Sequence, residues 1–275
     1  MRMQLSPNLK MALITAVLIG IHTAGLSPSF GFSINLDPPS IHVSVRPGES
    51  ATRVLTLTNT GKDPLILHAY TEDWAYAPDG SKRFQAPGTL PRSCANAIVL
   101  TPKELTLKPD ESGTIQMTVT LPKDAHGGVQ AVAFFEALLG SVEKGPGASQ
   151  VLFAGRLGTL VFVETEGSVQ RHGAITSVSL SAPTAARPLE AQFTFGNDGD
   201  THVFADGVVS ILNAKGEYIG REKIGRFGIL PGTSMTRTAT WAGDMIPGTY
   251  SVILTLDYGG QDPAVAESRV TVNRK

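Results

Sequence analysis

The sequence predicts an all-β protein built from two tandem β-sandwiches. Three observations lead there. From residue 33 onward the chain is a series of short runs rich in Val, Ile, Leu, Thr and Phe, divided by Gly, Pro, Asn and Asp. Several of these runs alternate apolar and polar residues with period two, the mark of a strand with one buried face. No segment keeps a helical apolar period for three turns.

In the first half, Arg53 to Asn59 sets Leu55 and Leu57 against Val54, Thr56 and Thr58. Thr114 to Leu121 sets Ile115, Met117, Val119 and Leu121 against polar neighbours. Ala131 to Leu139 and Val151 to Val163 are more continuously apolar, as central strands covered on both sides would be. The segment Glu164 to Gly173 has few apolar residues and interrupts the pattern. It predicts a first domain over 32–166, a linker over 167–173 and a second domain over 174–275.

The second strand series comprises Ala174 to Leu180, Glu190 to Phe195, Val208 to Leu212, Ser234 to Trp241, Thr249 to Asp257 and Val265 to Val272. Turn signals stand at Asp198-Gly199, Asp206-Gly207, Lys215-Gly216 and Gly259-Gly260. The halves read as divergent copies: LTLTNTG (55–61) and FTFGNDG (193–199) both end an alternating strand in Asn-x-Gly. Each half then has a corner, Leu107-Lys108-Pro109 or Leu230-Pro231-Gly232, leading into another alternating strand. Domains of roughly 100 residues with this strand spacing suit the immunoglobulin-like sandwich. Pro247-Gly248-Thr249-Tyr250 reads either as a tyrosine corner or as an ordinary strand Tyr.

The N-terminus carries an address. Arg2 and Lys10 precede an apolar run from Met11 to Ile21, and the small residues Ser29 and Gly31 stand two apart, so residues 1–31 read as a signal peptide cleaved after Gly31. An apolar core of about eleven residues is short of the roughly 20 a membrane span needs, and no later stretch is long or apolar enough to span. With 23 basic and 24 acidic residues, no net charge draws the chain to nucleic acid or an anionic membrane. Cys94 is the only cysteine, so both sandwiches hold by packing without an internal disulfide, and Cys94 itself reads as a small buried filler.

Three segments of the first half resemble PapD-like periplasmic chaperones of pilus and fimbrial assembly. TNTGKDPLILHAYTEDW (58–74) is similar to that family's strand–turn–strand, with Asn59, Pro64, Ala69 and Tyr70 at its marked positions. IVLTPKELTLKPDESGTIQMTV (98–119) is similar to its Thr-Pro and Leu-x-Pro signature, and LPKDAHGGVQAVAFFEALL (121–139) to its Leu-Pro-x-Asp segment and following strand. The resemblance implies that the last strand of the first domain is lent to a subunit lacking one, completing the subunit's sandwich. The corresponding strand is Val151 to Val163, with Gly140 to Gln150 as the mobile connector before it. Val151, Phe153 and Leu157 share one face, Leu152, Ala154 and Leu160 the other, and Gly155 and Gly158 interrupt the pattern.

The resemblance further implies a pair of basic side chains that anchor the subunit's terminal carboxylate, one on the donor strand and one on the first strand. Arg156 falls at a donor-strand position; its alternative reading is a strand residue paired with a carboxylate. On the first strand, LDPPSIHVSVRPGES, the basic position is taken by Pro39, Ser40 or Ile41, and the nearest arginine, Arg46, precedes a Pro47-Gly48 turn. The family's acidic-Ser element is replaced by Ala125-His126-Gly127-Gly128. The partners implied are exported, pilin-like subunits and an outer-membrane usher, in the periplasm. The site residues are Val151, Phe153, Arg156 and Leu157. The missing first-strand basic residue supports a second reading: an envelope-binding or adhesion module without strand donation, using loop residues such as Trp74.

Other chemistry lacks a signature. The histidines at 42, 68, 126, 172 and 202 are scattered without ligand spacing, so no metal is expected. Asn197-Asp198-Gly199-Asp200 with Asp206 departs from the EF-hand spacing and reads as a turn. Trp74 and Tyr76 beside Asp79-Gly80 read as a partly buried hairpin or an exposed aromatic surface. There is no Gly-x-Ser-x-Gly, Walker-type loop, His-Glu-x-x-His or GxGxxG, so neither an enzyme nor a cofactor is expected.

Overall fold

The structure is a computed structural model describing residues 32–77, 80–143, 150–184 and 186–273, with backbone alone for 141–143 and 150–151. The expected signal peptide lies outside these residues. The body from Phe32 onward forms one compact unit. It contains seventeen strands: β1 (Ile34–Asp37), β2 (Ser40–Val45), β3 (Ser50–Asn59), β4 (Leu65–Tyr76), β5 (Lys82–Gln85), β6 (Ile98–Thr101), β7 (Glu104–Leu107), β8 (Ser112–Thr120), β9 (Gly128–Glu143), β10 (Gln150–Thr165), β11 (Gly173–Ser181), β12 (Leu189–Asn197), β13 (Val203–Asn213), β14 (Tyr218–Ile229), β15 (Thr233–Trp241), β16 (Gly248–Asp257) and β17 (Ala264–Val272). A 3-10 turn over Ala95–Ala97 is the only helical element among the described residues. The chain is all-β.

Strands β1 to β10 make two sheets, one in the order β1-β3-β8-β6 and one in the order β2-β10-β9-β4-β5 with β7 also on β4. Strands β11 to β17 make two more, β11-β12-β15 and β14-β13-β16-β17. Every strand pair is antiparallel except β10 with β2. Each pair of sheets encloses a core. Leu55, Leu57, Ile115, Met117 and Val119 are fully buried against Phe135, Val161 and Val163 in the first. Phe193, Phe195, Ile211, Val252 and Leu254 fill the second. Burying one such side chain contributes roughly 1.5–3 kcal/mol.

A third cluster lies on the other face of β9 and β10. Trp74, Val132, Phe134 and Phe162 meet Leu230, with Tyr76, Phe84, Leu160 and Phe204 packed against them. Central stretches of both strands are therefore covered on both sides, as their continuous apolar runs predict. Tyr250 donates its hydroxyl to the Ile246 carbonyl at 2.9 Å and is buried, so the tyrosine corner is present.

The strand pattern differs from expectation in three places. β9 continues to Glu143 and β10 begins at Gln150, so both ends of the expected Gly140–Gln150 connector are paired strand and its middle, 144–149, lies outside the described residues. A bulge at Leu139 keeps the pairing going, with Phe153 opposite Gly140 and Ala154 opposite Leu138. Asp206-Gly207 is no turn but a bulge inside β13, where the Thr255 backbone leaves no room for a Cβ at Gly207. Finally, β14 forms from a run that shows no clean alternation.

Candidate functional site

The site is the β9–β10 hairpin arm and the open edge beside it. β10 pairs with β9 from Gln150 to Glu164, but with β2 only from Leu160 to Thr165. Among the described residues no strand pairs with the other edge of β10 between Gln150 and Thr159. The cause is local: Pro38 and Pro39 separate β1, which pairs with β3, from β2, which joins β10. A proline pair supplies no ladder N–H and lets the chain change sheets there. Thr159 ties down the crossing by donating to the Pro38 carbonyl at 2.9 Å.

Alternation on β10 puts 153, 155, 157, 159, 161 and 163 on the face toward the first core. That face emerges from the sandwich along its length. Val161 and Val163 are fully buried, Leu157 is half-buried against the core, and Phe153 is 41% exposed. On the other face Leu152 and, on β9, Leu138 are exposed, at 60% and 62%. The arm thus presents apolar side chains along a strand edge that no described strand covers, a geometry that suits strand addition. Of the predicted site residues, Phe153 and Leu157 lie on one face as expected. Val151 falls opposite Val142 in the hairpin, and its side chain is outside the description.

Arg156 points to the opposite face. Its guanidinium donates to Tyr70 Oη at 3.2 Å and Glu72 Oε1 at 3.1 Å and stacks over the Phe134 ring at 4.2 Å. The Tyr70 hydrogen bond is the largest cause pushing the arginine pKa up further, while Tyr70 in turn donates to Glu136 Oε2 at 3.0 Å. On β2, Ser40 and buried Ile41 occupy the positions where the resemblance would put a cation. Arg46 lies at a turn, with Glu49 N bonded to its carbonyl, and is ion-paired with Glu166 at 3.2 Å.

Where the two sandwiches meet, a cavity of about 390 Å³ is lined by His42, Phe162, Glu164, Arg171, His202 and Arg226, among others. His42 stacks on Phe162 at 4.8 Å, and His202 approaches the same ring at 4.4 Å, leaving the two imidazoles 5.6 Å apart. Burial lowers both histidine pKa values, His202 to about 4. Arg226 lowers that of His42 further, and Glu164 opposes the shift in both. Spacing in sequence could not reveal this pair, because the two residues belong to different sandwiches.

Other sequence features resolve plainly. Trp74 is fully buried in the third cluster, edge-on to Tyr76 and Phe162, so it is neither a loop residue nor an exposed contact surface. Asn197–Asp200 is a turn docked on the chain between the sandwiches: Asp198 N and Gly199 N donate to the His172 carbonyl, and Asp200 Oδ1 accepts from Gln170 N at 2.7 Å. Cys94 is buried, and burial pushes its thiol up to about 12, which leaves it unreactive. No helix among the described residues is long and apolar enough to cross a membrane.

No protein-family model matches the chain, and no curated protein matches it. Among solved structures it is similar to the class 5 fimbriae chaperone CfaA, at 15% identity over 87% of this chain and 100% of that one, with a TM-score of 0.46. It is also similar to a structure of the CsuC–CsuE chaperone–tip adhesion subunit complex of Acinetobacter baumannii (12% identity, 86% and 98%, TM-score 0.44) and to the Pseudomonas aeruginosa CupB2 chaperone (12%, 87% and 100%, 0.40). The chain is thus similar to fimbrial chaperone structures along most of its length, at identities and scores that leave the reading of its site to its own residues.

Proposed function

We propose that this chain is a periplasmic chaperone-like protein that caps exported, pilin-like subunits by donating β10, with residues 1–31 as its signal peptide, 32–166 as the donor domain and 174–275 as the second domain. One observation carries the reading: among the described residues no strand lies beside the Gln150–Thr159 edge of β10, and along that edge the core-side row emerges from the sandwich, from half-buried Leu157 to exposed Phe153. A subunit lacking a strand would gain main-chain hydrogen bonds along that edge and bury the apolar row in its own core. Val151 completes the proposed donor set. Arg156 is the donor-strand cation, already held by Tyr70 and Glu72.

Co-purification from the periplasm tests this. Wild-type chain retains an exported subunit, and Phe153→Asp, which puts a charge in the row, releases it. Retention of no subunit by the wild type, or unchanged capture by Phe153→Asp, overturns strand donation.

The second reading, an envelope-binding module without strand donation, draws on the absence of a cation at Ser40 and Ile41. It requires a saturable interaction that is indifferent to Phe153→Asp and to Arg156→Ala.

A further inference from the structure

The apolar row on β10 has a gap at Gly155, and a residue from outside the strand fills it. A Cβ on Gly155 would lie 2.5 Å from Cγ of Phe32 and 2.7 Å from its Cδ2, so the Phe32 ring lies directly against the glycine on the core-facing side. Phe32 is half-buried, and it packs against the first core as Leu157 does. The residue after it is held by the corner that ends β3: Thr60 N donates to the Ser33 carbonyl at 3.1 Å, and the Ser33 and Thr60 hydroxyls are 2.7 Å apart.

We infer that Phe32 is a specificity-determining residue of the subunit-binding surface, supplying from the chain's N-terminal arm the aromatic side chain that the donor strand lacks at Gly155. The inference rests on the strand-donation reading. A partner accepting β10 would meet the sequence Phe153, Phe32, Leu157 rather than Phe153, gap, Leu157. Its cleft would therefore need a pocket wide enough for a phenyl ring arriving from the side. Gly155 is required in this arrangement because any side chain there occupies the volume of the ring.

The test uses the full chain, exported and co-expressed with a fimbrial subunit stripped of its N-terminal donor segment, and reads the apparent affinity of the complex. Phe32→Ala is expected to weaken retention about tenfold, and Phe32→Ala with Gly155→Ile, which grows an apolar group from β10 into the vacated space, to recover most of that loss. A purely structural role for Phe32 would lower the melting temperature of the single variant without changing retention. Wild-type retention by Phe32→Ala, or no recovery in the double variant, overturns the inference while leaving strand donation standing. If the wild type retains no subunit, or Phe153→Asp binds as well as wild type, the reading itself falls and this inference with it.

Discussion

Asn59 and Asn197 make the same hydrogen bonds in their respective sandwiches. Asn59 Nδ2 donates to the carbonyls of Asp63 (2.8 Å) and Leu107 (3.2 Å), while its Oδ1 accepts from Gly61 N (2.9 Å). Asn197 Nδ2 donates to Thr201 (2.9 Å) and Ile229 (3.1 Å), and its Oδ1 accepts from Gly199 N (3.0 Å). Both main-chain carbonyls accept from a residue in the left-handed region, Asp110 at φ 60 and Gly232 at φ 69. The local partners match in both halves, the carbonyl acceptor lying at i+4 and the glycine donor at i+2, and the facing carbonyl precedes the left-handed residue by the same spacing, Leu107 before Asp110 and Ile229 before Gly232. That correspondence supports descent of the two sandwiches from one repeated unit, as the paired Asn-x-Gly strands suggest.

Both asparagines are fully buried, so truncation leaves two carbonyls and an amide without partners. Asn59→Ala and Asn197→Ala should each cost about 2–4 kcal/mol by denaturant unfolding. Asp would be no substitute, since a carboxylate cannot donate to the carbonyls. A cost below that of an ordinary surface substitution at either position would show that the corner is not a stabilising element.

The histidine pair makes stability depend on acid. Both folded-state pKa values lie below the ordinary 6.5, so the unfolded chain takes up protons first as pH falls. Stability is complete above about pH 6.5 and is lost as pH drops toward 4, by on the order of 3 kcal/mol for His202 at 1.36 kcal/mol per unit. Protonation would set imidazolium beside imidazolium, with Arg226 near His42 and Arg171 near His202, and Glu164 only partly compensating. Urea midpoints between pH 4 and 7 should fall steeply in the wild type and more shallowly in His202→Phe. Parallel curves would sink the assignment.

Much of the fold was legible because half-buried strands advertise themselves. Leu55 and Leu57, Ile115 through Leu121, and the doubly covered run at Ala131 each sit where their spacing puts them. β14 escaped notice because an edge strand is not obliged to alternate cleanly: Gly220, Gly225 and Gly228 dilute its pattern, and Arg221 and Lys223 face solvent. Trp74 was ambiguous because its burial depends on Leu230 and Phe162, distant in sequence. The long apolar strand at 151–163 could be located from its residues, but its open edge could not, since that depends on where β1 leaves for the other sheet. Phe32 was hidden for the same reason.

Gly127 and Gly128 fix how closely the second sandwich approaches. A Cβ on Gly128 would collide with Thr201 Oγ1 and stand 2.9 Å from Thr201 Cα, and Gly127, at φ 66, faces the Asp200 carbonyl. Gly128 N donates to that carbonyl at 2.8 Å, and Arg92 donates to it at 2.7 Å. Gly128→Ala is therefore expected to destabilise by about 1–3 kcal/mol. Adding Thr201→Ala should recover only part of the loss, because the Thr201 backbone remains in the way. Full recovery in calorimetry would place the whole conflict at the hydroxyl.

Arg156 separates anchoring from bracing. Its guanidinium faces away from Phe153, between Glu72 and Tyr70 and over Phe134, and the Glu72 pair is part-exposed at 40% and 22%, so its charge contributes modestly. A brace predicts that Arg156→Met, which keeps the aliphatic stem on Phe134, lowers stability by about 1 kcal/mol and changes subunit capture by less than about threefold, roughly 0.6 kcal/mol. An anchor predicts the reverse, because a subunit carboxylate left without its cation in a desolvated cleft loses far more than a solvent-screened pair. Anchoring would also require Arg156 to exchange Glu72 for the incoming carboxylate, so Glu72→Gln should then strengthen capture. Equal capture by wild type, Arg156→Met and Glu72→Gln, with stability falling in the arginine variant, assigns the residue to holding β10 in place for donation.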